Sequence, residues 1–265
     1  MIYGDEHVVT ITSLSNINKA IFYIPKISMK QMNETNTKED YNRARQLVLD
    51  AQYGYNSAVV AAEFLRLKGW QVEVLWVKSL DDFAWDMEER AKQKEEFSLL
   101  ATVSHSCPLG PFFDNPNEPE FDSSRAYLNA GWNWYAPGYV LEKKAGLGVA
   151  SVKALCEITE RMKEIVVPDG VIMFIGCTTG KPTKEPKNQS LPDPRKQGTP
   201  FWIEDGCGLR YSSYVHAVAD TSQRAVLGNK GGTDLGTSKL LVKQVFMEHK
   251  IPQGWILITP EHAKD

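Results

Sequence analysis

The stretch Val171–Gly180, VIMFIGCTTG, decides how the rest of the chain is interpreted. Its five consecutive apolar residues predict a strand that is buried on both faces, the type found inside parallel sheets. The strand ends in Gly176 and Cys177, a small residue followed by a thiol. Ligands of open parallel sheets bind beyond the carboxyl ends of the strands, so Cys177 stands where a reactive side chain is expected.

Outward from this strand, short apolar runs alternate with amphipathic segments, which is the pattern of βαβ units. We predict three preceding strands, at Ala20–Ile24, Gln71–Val77 and Ser98–Val103. The other predicted elements are helices at Tyr41–Asp50, Ser57–Lys68, Leu80–Glu96, Val149–Val166 and Asp234–Glu248, a turn at Pro168–Gly170, and strands at Tyr211–Ala219, Ala225–Gly228 and Trp255–Thr259. The predicted fold class is α/β, a three-layer fold with a mostly parallel central sheet.

The composition is that of a globular protein. With 42% hydrophobic and 24% charged residues, the chain of 265 residues is not disordered, and we expect one α/β domain over residues 1–265. A net charge of −3 offers no field that attracts nucleic acid. The sequence has no apolar run near the roughly 20 residues of a membrane span, and its first residues, MIYGDEHVVTITS, lack the apolar core of a secretory signal. We expect a cytoplasmic protein that binds neither nucleic acid nor membrane.

The cysteines point to thiols and not to disulfides or a metal. Four cysteines, at positions 107, 156, 177 and 207, contain no C-x-x-C pair, so we expect free thiols and no metal site. The glycine-rich stretch Gly228–Thr233, GNKGGT, lacks the spacing of a phosphate-binding loop. We therefore expect no cofactor.

His105 follows the predicted strand Ser98–Val103 in the way that Cys177 follows Val171–Ile175. An imidazole within hydrogen-bond reach of a thiol can deprotonate it and later protonate the leaving group. Gly176 allows a close backbone approach, and backbone amides near the cysteine could bind an oxyanion. Each residue alone is more often structural. Their joint position at two strand ends indicates a catalytic pair.

With His105 after the third strand and Cys177 after the fourth, the sequence resembles the caspase-like cysteine peptidases, the group of caspases, metacaspases, legumain, clostripain and gingipains. The resemblance covers roughly residues 20–180 and is one of layout more than of motif, and Ser106 stands where the family usually has glycine. It implies a peptide-bond hydrolase that forms a thioester acyl-enzyme on Cys177. It also implies that the backbone amides of Cys177 and Ser106 bind the oxyanion.

Two long segments lie outside this pattern. Residues 107–148 form an aromatic-rich insertion, in which Trp132, Trp134 and Tyr135 either pack on the body or line a substrate cleft. Asp114 could select a basic substrate group, although a solvated acid is the ordinary interpretation. Lys181–Pro200 is polar and rich in proline, so we predict a flexible surface loop. The family resemblance implies that this loop corresponds to the one where many family members are cut during activation, and the sequence leaves open whether it is processed here.

Other interpretations of the same residues stay open. Cys107, Cys156 and His216 are more simply explained as structural or neighbouring side chains, and Cys207 lies in a glycine-rich turn where it could be exposed. The leading functional hypothesis is a cysteine peptidase or amidase with a Cys177–His105 dyad, acting on a peptide or protein substrate. One alternative is a non-catalytic α/β binding or regulatory module. Another is a cysteine hydrolase or amidotransferase that acts on a small amide. The sequence leaves the oligomeric state and the activation mechanism open.

Overall fold

The fold is organised around one six-stranded sheet. The structure, a computed structural model, describes residues 17–27, 34–78, 80–107, 110–111, 139–141, 149–152, 155–177, 179–180, 202–204 and 210–264. The strands of the sheet are β1 (Lys19–Pro25), β2 (Gln71–Val77), β3 (Phe97–Val103), β4 (Val166–Ile175), β5 (Ala225–Asn229) and β6 (Trp255–Ile258). Their spatial order is β2–β1–β3–β4–β5–β6. The first five are parallel, and β6 pairs antiparallel with β5.

Helices cover both faces of the sheet. The helices are α1 (Lys38–Arg66), α2 (Leu80–Lys92), α3 (Leu155–Ile165), α4 (Tyr214–Ser222) and α5 (Ser238–Val242). A 3₁₀ turn, Leu235–Thr237, precedes α5, and a π-helical turn, Lys243–Met247, follows it. Side chains of α1 and α5 share one buried cluster with one face of the sheet, and side chains of α2, α3 and α4 share another with the opposite face.

The alternation of buried side chains explains why β1 lies inside the sheet. Ala20, Phe22 and Ile24 belong to the cluster under α1, and Ile21 and Tyr23 belong to the cluster on the other face. All seven residues of β3 are buried in the same two-sided way. The predicted adjacency of the four strands β2, β1, β3 and β4 is therefore confirmed, together with an α/β fold whose sheet is mostly parallel.

The two helices predicted at Tyr41–Asp50 and Ser57–Lys68 are one helix, α1. The side chain of Thr37 accepts a hydrogen bond from the Asp40 amide, and the Asp40 side chain accepts one from the Thr37 amide, so a capping box starts the helix. Gly54 lies inside this helix and does not end it. The position of its missing side chain faces Val103 of β3. The predictions of α2, of the helix near Asp234–Glu248, and of β5 and β6 are confirmed, with α2 ending four residues early.

Two predicted elements are wrong. Residues Val149–Val152 form a strand and not the first turn of a helix, since they pair with Tyr139–Leu141 on one side and Trp202–Glu204 on the other. The strand predicted at Tyr211–Ala219 is the helix α4, which buries Val215, Ala217 and Val218. A short run of mixed apolar residues fits either period, and the alanines favour the helix.

A third correction concerns Pro168–Gly170, which was predicted as a turn. These residues lie within β4, where the pairing with β3 moves from Phe97–Val166 to Leu99–Val171. The extra residues bulge out of the ladder, and Pro168 and Asp169 are exposed. The bulge leaves the carboxyl half of β4 in register with β3.

Short strands occur at the edges of the two long segments. The predicted insertion, residues 107–148, contributes Gly110–Pro111, which pairs with Ser106–Cys107, and Tyr139–Leu141, which joins a separate four-stranded sheet. The other residues of the insertion and all of Lys181–Pro200 lie outside the described residues. Among the described helices, none combines the length and the hydropathy needed to cross a membrane.

Candidate active site

His105 and Cys177 follow adjacent parallel strands that end in register. Val103, the last residue of β3, pairs with Ile175, the last residue of β4. Beyond the ladder, the Ser104 amide donates to the Ile175 carbonyl at 3.1 Å, and Oγ of Ser106 donates to the Cys177 carbonyl at 2.5 Å. His105 therefore lies between two residues that are both hydrogen-bonded to the segment that carries the thiol.

Gly176 allows these two segments to run so close together. A Cβ atom at this position would collide with the Ser104 carbonyl oxygen and with Oγ of Ser106. The Gly176 amide donates to the Phe174 carbonyl at 3.1 Å, so it is used within the turn. The role of Gly176 is thus the close approach that the sequence predicts. Oxyanion binding by the amides of Cys177 and Ser106 stays a prediction.

A carboxylate from α1 holds the imidazole. Nε2 of His105 lies 2.8 Å from Oδ2 of Asp50, and the two side chains are about a quarter exposed. Asp50 reaches this place because α1 passes over the end of β3, where Gly54, one turn further along the helix, packs against Val103. Sequence reasoning missed Asp50, since an acid within a helix carries no signal that it faces a distant histidine.

The thiol of Cys177 is half-buried, free and held by backbone groups. The Thr233 amide donates to Sγ over 3.4 Å, and the thiol can donate to the Thr233 carbonyl over 3.6 Å. The same backbone residue can therefore stabilise the thiolate through its N–H and the neutral thiol through its carbonyl. Thr233 lies in the loop after β5, a contact that the sequence also did not predict.

The loop that follows Cys177 is tied to the loop after β5. The Gly180 amide donates to the Asn229 carbonyl at 2.8 Å, and the Asn229 amide donates to Oγ1 of Thr179 at 3.3 Å. A side chain at Gly180 would collide with Ile256 of β6. These contacts fix the position of the thiol relative to three neighbouring strand ends.

The other candidate residues fall elsewhere. His216 lies on α4, not on a strand, and its Nδ1 is 2.7 Å from Oγ of Ser213, which favours a structural role. The proposed substrate-binding residues Asp114, Trp132, Trp134 and Tyr135 lie outside the described residues, as does Cys207. For Cys107 and Cys156 only the backbone is described. The roles predicted for all of these residues stay predictions.

Comparisons with known proteins gave no relative. A scan against models of protein families, a search of curated proteins and a search of solved structures each found no match. Within the part of the chain that the structure describes, no group of three or more His, Cys, Asp or Glu side chains could hold a metal ion.

Proposed function

We propose that the protein is a cysteine-dependent hydrolase of peptide or amide bonds, with Cys177 as nucleophile and His105 as its base and acid. The observation that carries the proposal is the register of β3 and β4, which places both residues two positions beyond a paired strand end. The carboxylate of Asp50 on Nε2 of His105 supports it, because catalytic histidines are commonly oriented by a third group.

The proposed mechanism gives each atom a role. In the proposed mechanism Nε2 of His105 binds Asp50, and Nδ1 exchanges the proton with Sγ of Cys177. The thiolate attacks the carbonyl carbon, and the imidazolium donates its proton to the leaving amine as the C–N bond breaks. The resulting thioester is hydrolysed by a water that His105 deprotonates, which releases a carboxylic acid and restores the thiol. Asp50 stabilises the imidazolium in both steps.

The backbone would supply the oxyanion site. The amide of Cys177 belongs to the thiol's own residue, and the amide of Ser106 lies on the segment that Oγ of Ser106 ties to the Cys177 carbonyl. Donors of this kind stabilise the negative oxygen of a tetrahedral intermediate. Rigid loops keep such donors preorganised, and the contacts from Thr179 and Gly180 to Asn229 provide that rigidity.

The architecture supports a caspase-like fold and a peptide or protein substrate. His105 follows the third strand of the sheet and Cys177 the fourth, the layout that the resemblance requires, and these two strands are neighbours. The resemblance therefore favours a peptide bond over a small amide as the scissile bond. Because fold alone does not fix chemistry, the assignment depends on Cys177 and His105.

Thiol reactivity and turnover test the proposal together. The native protein is treated with iodoacetamide at neutral pH, and labelling of each cysteine is followed by peptide mass mapping. We expect Cys177 to label fastest of the four, and His105→Ala to slow that labelling by at least ten-fold. A panel of peptides and small amides then identifies a substrate whose turnover Cys177→Ala abolishes.

The control variants are Cys107→Ala and Cys207→Ala, which should stay within a few-fold of the native protein. Each variant is checked for an unchanged melting transition, since a collapsed protein would mimic a catalytic loss. Equal labelling of all four cysteines, with no effect of His105→Ala, would contradict the catalytic assignment and favour the binding-module alternative.

A further inference from the structure

One face of α1 touches both halves of the candidate site. Asp50 contacts His105, and the hydroxyl of Tyr53, three residues later, lies beside the carboxylate of Asp234, both next to Gly236. Residues three apart lie side by side on a helix, so both contacts come from the same rigid surface. The Asp234 charge raises the pKa of the Tyr53 phenol, as expected for a hydroxyl beside a carboxylate.

Asp234 follows directly on Thr233, whose amide and carbonyl contact Sγ of Cys177. Its Oδ1 accepts a hydrogen bond from the Gly236 amide at 2.7 Å and so caps the turn Leu235–Thr237. Asp234 thus links three parts of the site. Its carboxylate faces Tyr53 of α1 and caps the turn after β5, and its backbone continues from Thr233, the residue beside the thiol.

Gly236 lies close against this contact. A Cβ atom on Gly236 would collide with the Tyr53 hydroxyl and would lie 3.1 Å from Oδ1 of Asp234. Gly232, in the same loop, has nothing within 4 Å of the corresponding position. A Cβ at position 236 would therefore push the Tyr53 hydroxyl away from Asp234, whereas one at position 232 would meet nothing.

We propose that Tyr53 and Asp234 are a positioning pair that holds the Thr233 backbone against Sγ of Cys177. This inference rests on the proposed function and deepens it. Neither side chain touches the reacting atoms. Together with Asp50, the pair makes α1 the element that aligns the nucleophile with its base. Without the pair, the loop after β5 keeps the packing of Leu235 against α1 but loses the polar contact beside Thr233, and the N–H of Thr233 is no longer held against the thiolate.

The test measures the rate at which iodoacetamide labels Cys177 in variants of the full-length chain. We expect Tyr53→Phe and Asp234→Ala each to slow labelling about three- to ten-fold at neutral pH, the effect of losing one hydrogen bond at the thiolate. The labelling profile should move to higher pH. Once a substrate is known, the loss of activity in these variants should appear in kcat and leave KM nearly unchanged.

Conservative and double variants separate positioning from general damage. Asp234→Asn keeps an oxygen that accepts from both the Tyr53 hydroxyl and the Gly236 amide, so it should label within about two-fold of the native protein. The double variant Tyr53→Phe/Asp234→Ala should be no slower than Asp234→Ala, because the two residues act through one contact. Gly236→Ala should reproduce the loss, whereas Gly232→Ala should not.

Matched controls remove the same kind of bond elsewhere. The hydroxyl of Tyr23 donates to Asp86 at 2.6 Å, and the hydroxyl of Tyr211 donates to Asp220 at 2.6 Å. In Tyr23→Phe and Tyr211→Phe, iodoacetamide should label Cys177 at the native rate. Slowing by these controls as large as that by Tyr53→Phe would show a general loss of stability and would overturn the positioning role.

The remaining outcomes distinguish the two proposals. If His105→Ala slows labelling but Tyr53→Phe, Asp234→Ala and Gly236→Ala all label at the native rate, the positioning pair is wrong and the proposed function stands. If Asp234→Asn is as slow as Asp234→Ala, the hydrogen bond is not the cause and the positioning pair is likewise wrong. If Cys177 labels no faster than the other cysteines in the native protein, the proposed function fails and the pair loses its role with it.

Discussion

Oδ2 of Asp50 lies 2.8 Å from Nε2 of His105, although 55 residues separate the two along the chain. The contact joins the first long helix to the loop after β3. Both side chains are about a quarter exposed, so solvent screens the pair and its contribution to stability is small. The contact fixes the orientation of the imidazole. In the proposed mechanism Asp50 extends the Cys177–His105 dyad to a triad.

Asp50→Asn tests this extension. The amide cannot stabilise an imidazolium as a carboxylate does, so we expect kcat to fall by about ten- to a hundred-fold while the melting transition changes little. The matched control is Glu63→Gln on the same helix, which removes a charge that pairs with the exposed Arg66. An Asp50→Asn variant with native kcat would show that the carboxylate is structural.

Gly176→Ala tests the close approach of the loops after β3 and β4. The added Cβ would meet the Ser104 carbonyl, a backbone atom that cannot rotate away, and Oγ of Ser106. We expect a loss of about 1–3 kcal/mol in the free energy of unfolding, the usual cost of overpacking, measured by chemical denaturation.

We also expect Gly176→Ala to slow labelling of Cys177 in the fraction that remains folded. Gly232→Ala is the control, because nothing lies within 4 Å of its added atom. Equal stability of the two variants would mean that the Ser106–Cys177 contact is looser than the structure shows.

The strands could be predicted because their patterns are unambiguous. β1, β3 and the carboxyl half of β4 are apolar on both faces. This pattern is typical of a strand inside a parallel sheet. The wrong predictions fall where a short apolar run fits both the helical period and the strand period. Residues of α4 alternate well enough for a strand, and Val149–Val152 lies close enough to α3 to be taken as its start.

The candidate site could be predicted only in part, for a physical reason. His105 and Cys177 follow predicted strands, and the carboxyl ends of parallel strands share one edge of the sheet, so topology alone puts both residues at that edge. Asp50 depends on how α1 is rotated over β3, which side-chain packing decides. Thr233 acts through its backbone, and a backbone contact leaves no mark on residue type.

Limited proteolysis tests the predicted loop Lys181–Pro200. Its sequence has five prolines and a single leucine, so it can form little regular pairing and bury little apolar surface. We expect trypsin to cut first near Lys187, Arg195 or Lys196, as mapped by mass spectrometry of early fragments. Early cuts within Lys78–Lys94 would contradict this, because most of that segment is the helix α2.

The last prediction concerns Tyr23, whose side chain is fully buried beneath α2 and donates to Asp86 at 2.6 Å. Asp86 also binds Arg90 at 2.7 Å, and Arg90 binds Glu73 at 2.8 Å, so the phenol belongs to a larger ionic network. Burial first, and then the charge of Asp86, raises the pKa of Tyr23 well above its usual value of 10.0.

The sign of the pH dependence follows from this shift. Below about pH 10 both folded and unfolded chains keep the proton, and the stabilisation is complete. Above it the unfolded tyrosine ionises while folded Tyr23 stays neutral, so the free energy of unfolding falls as pH rises. We expect Tyr23→Phe to cost about 1–2 kcal/mol at pH 7 and to make this alkaline decline shallower. Urea denaturation from pH 8 to about 11 measures both effects, and parallel declines for the two proteins would show that Tyr23 ionises as freely in the folded chain as in the unfolded one.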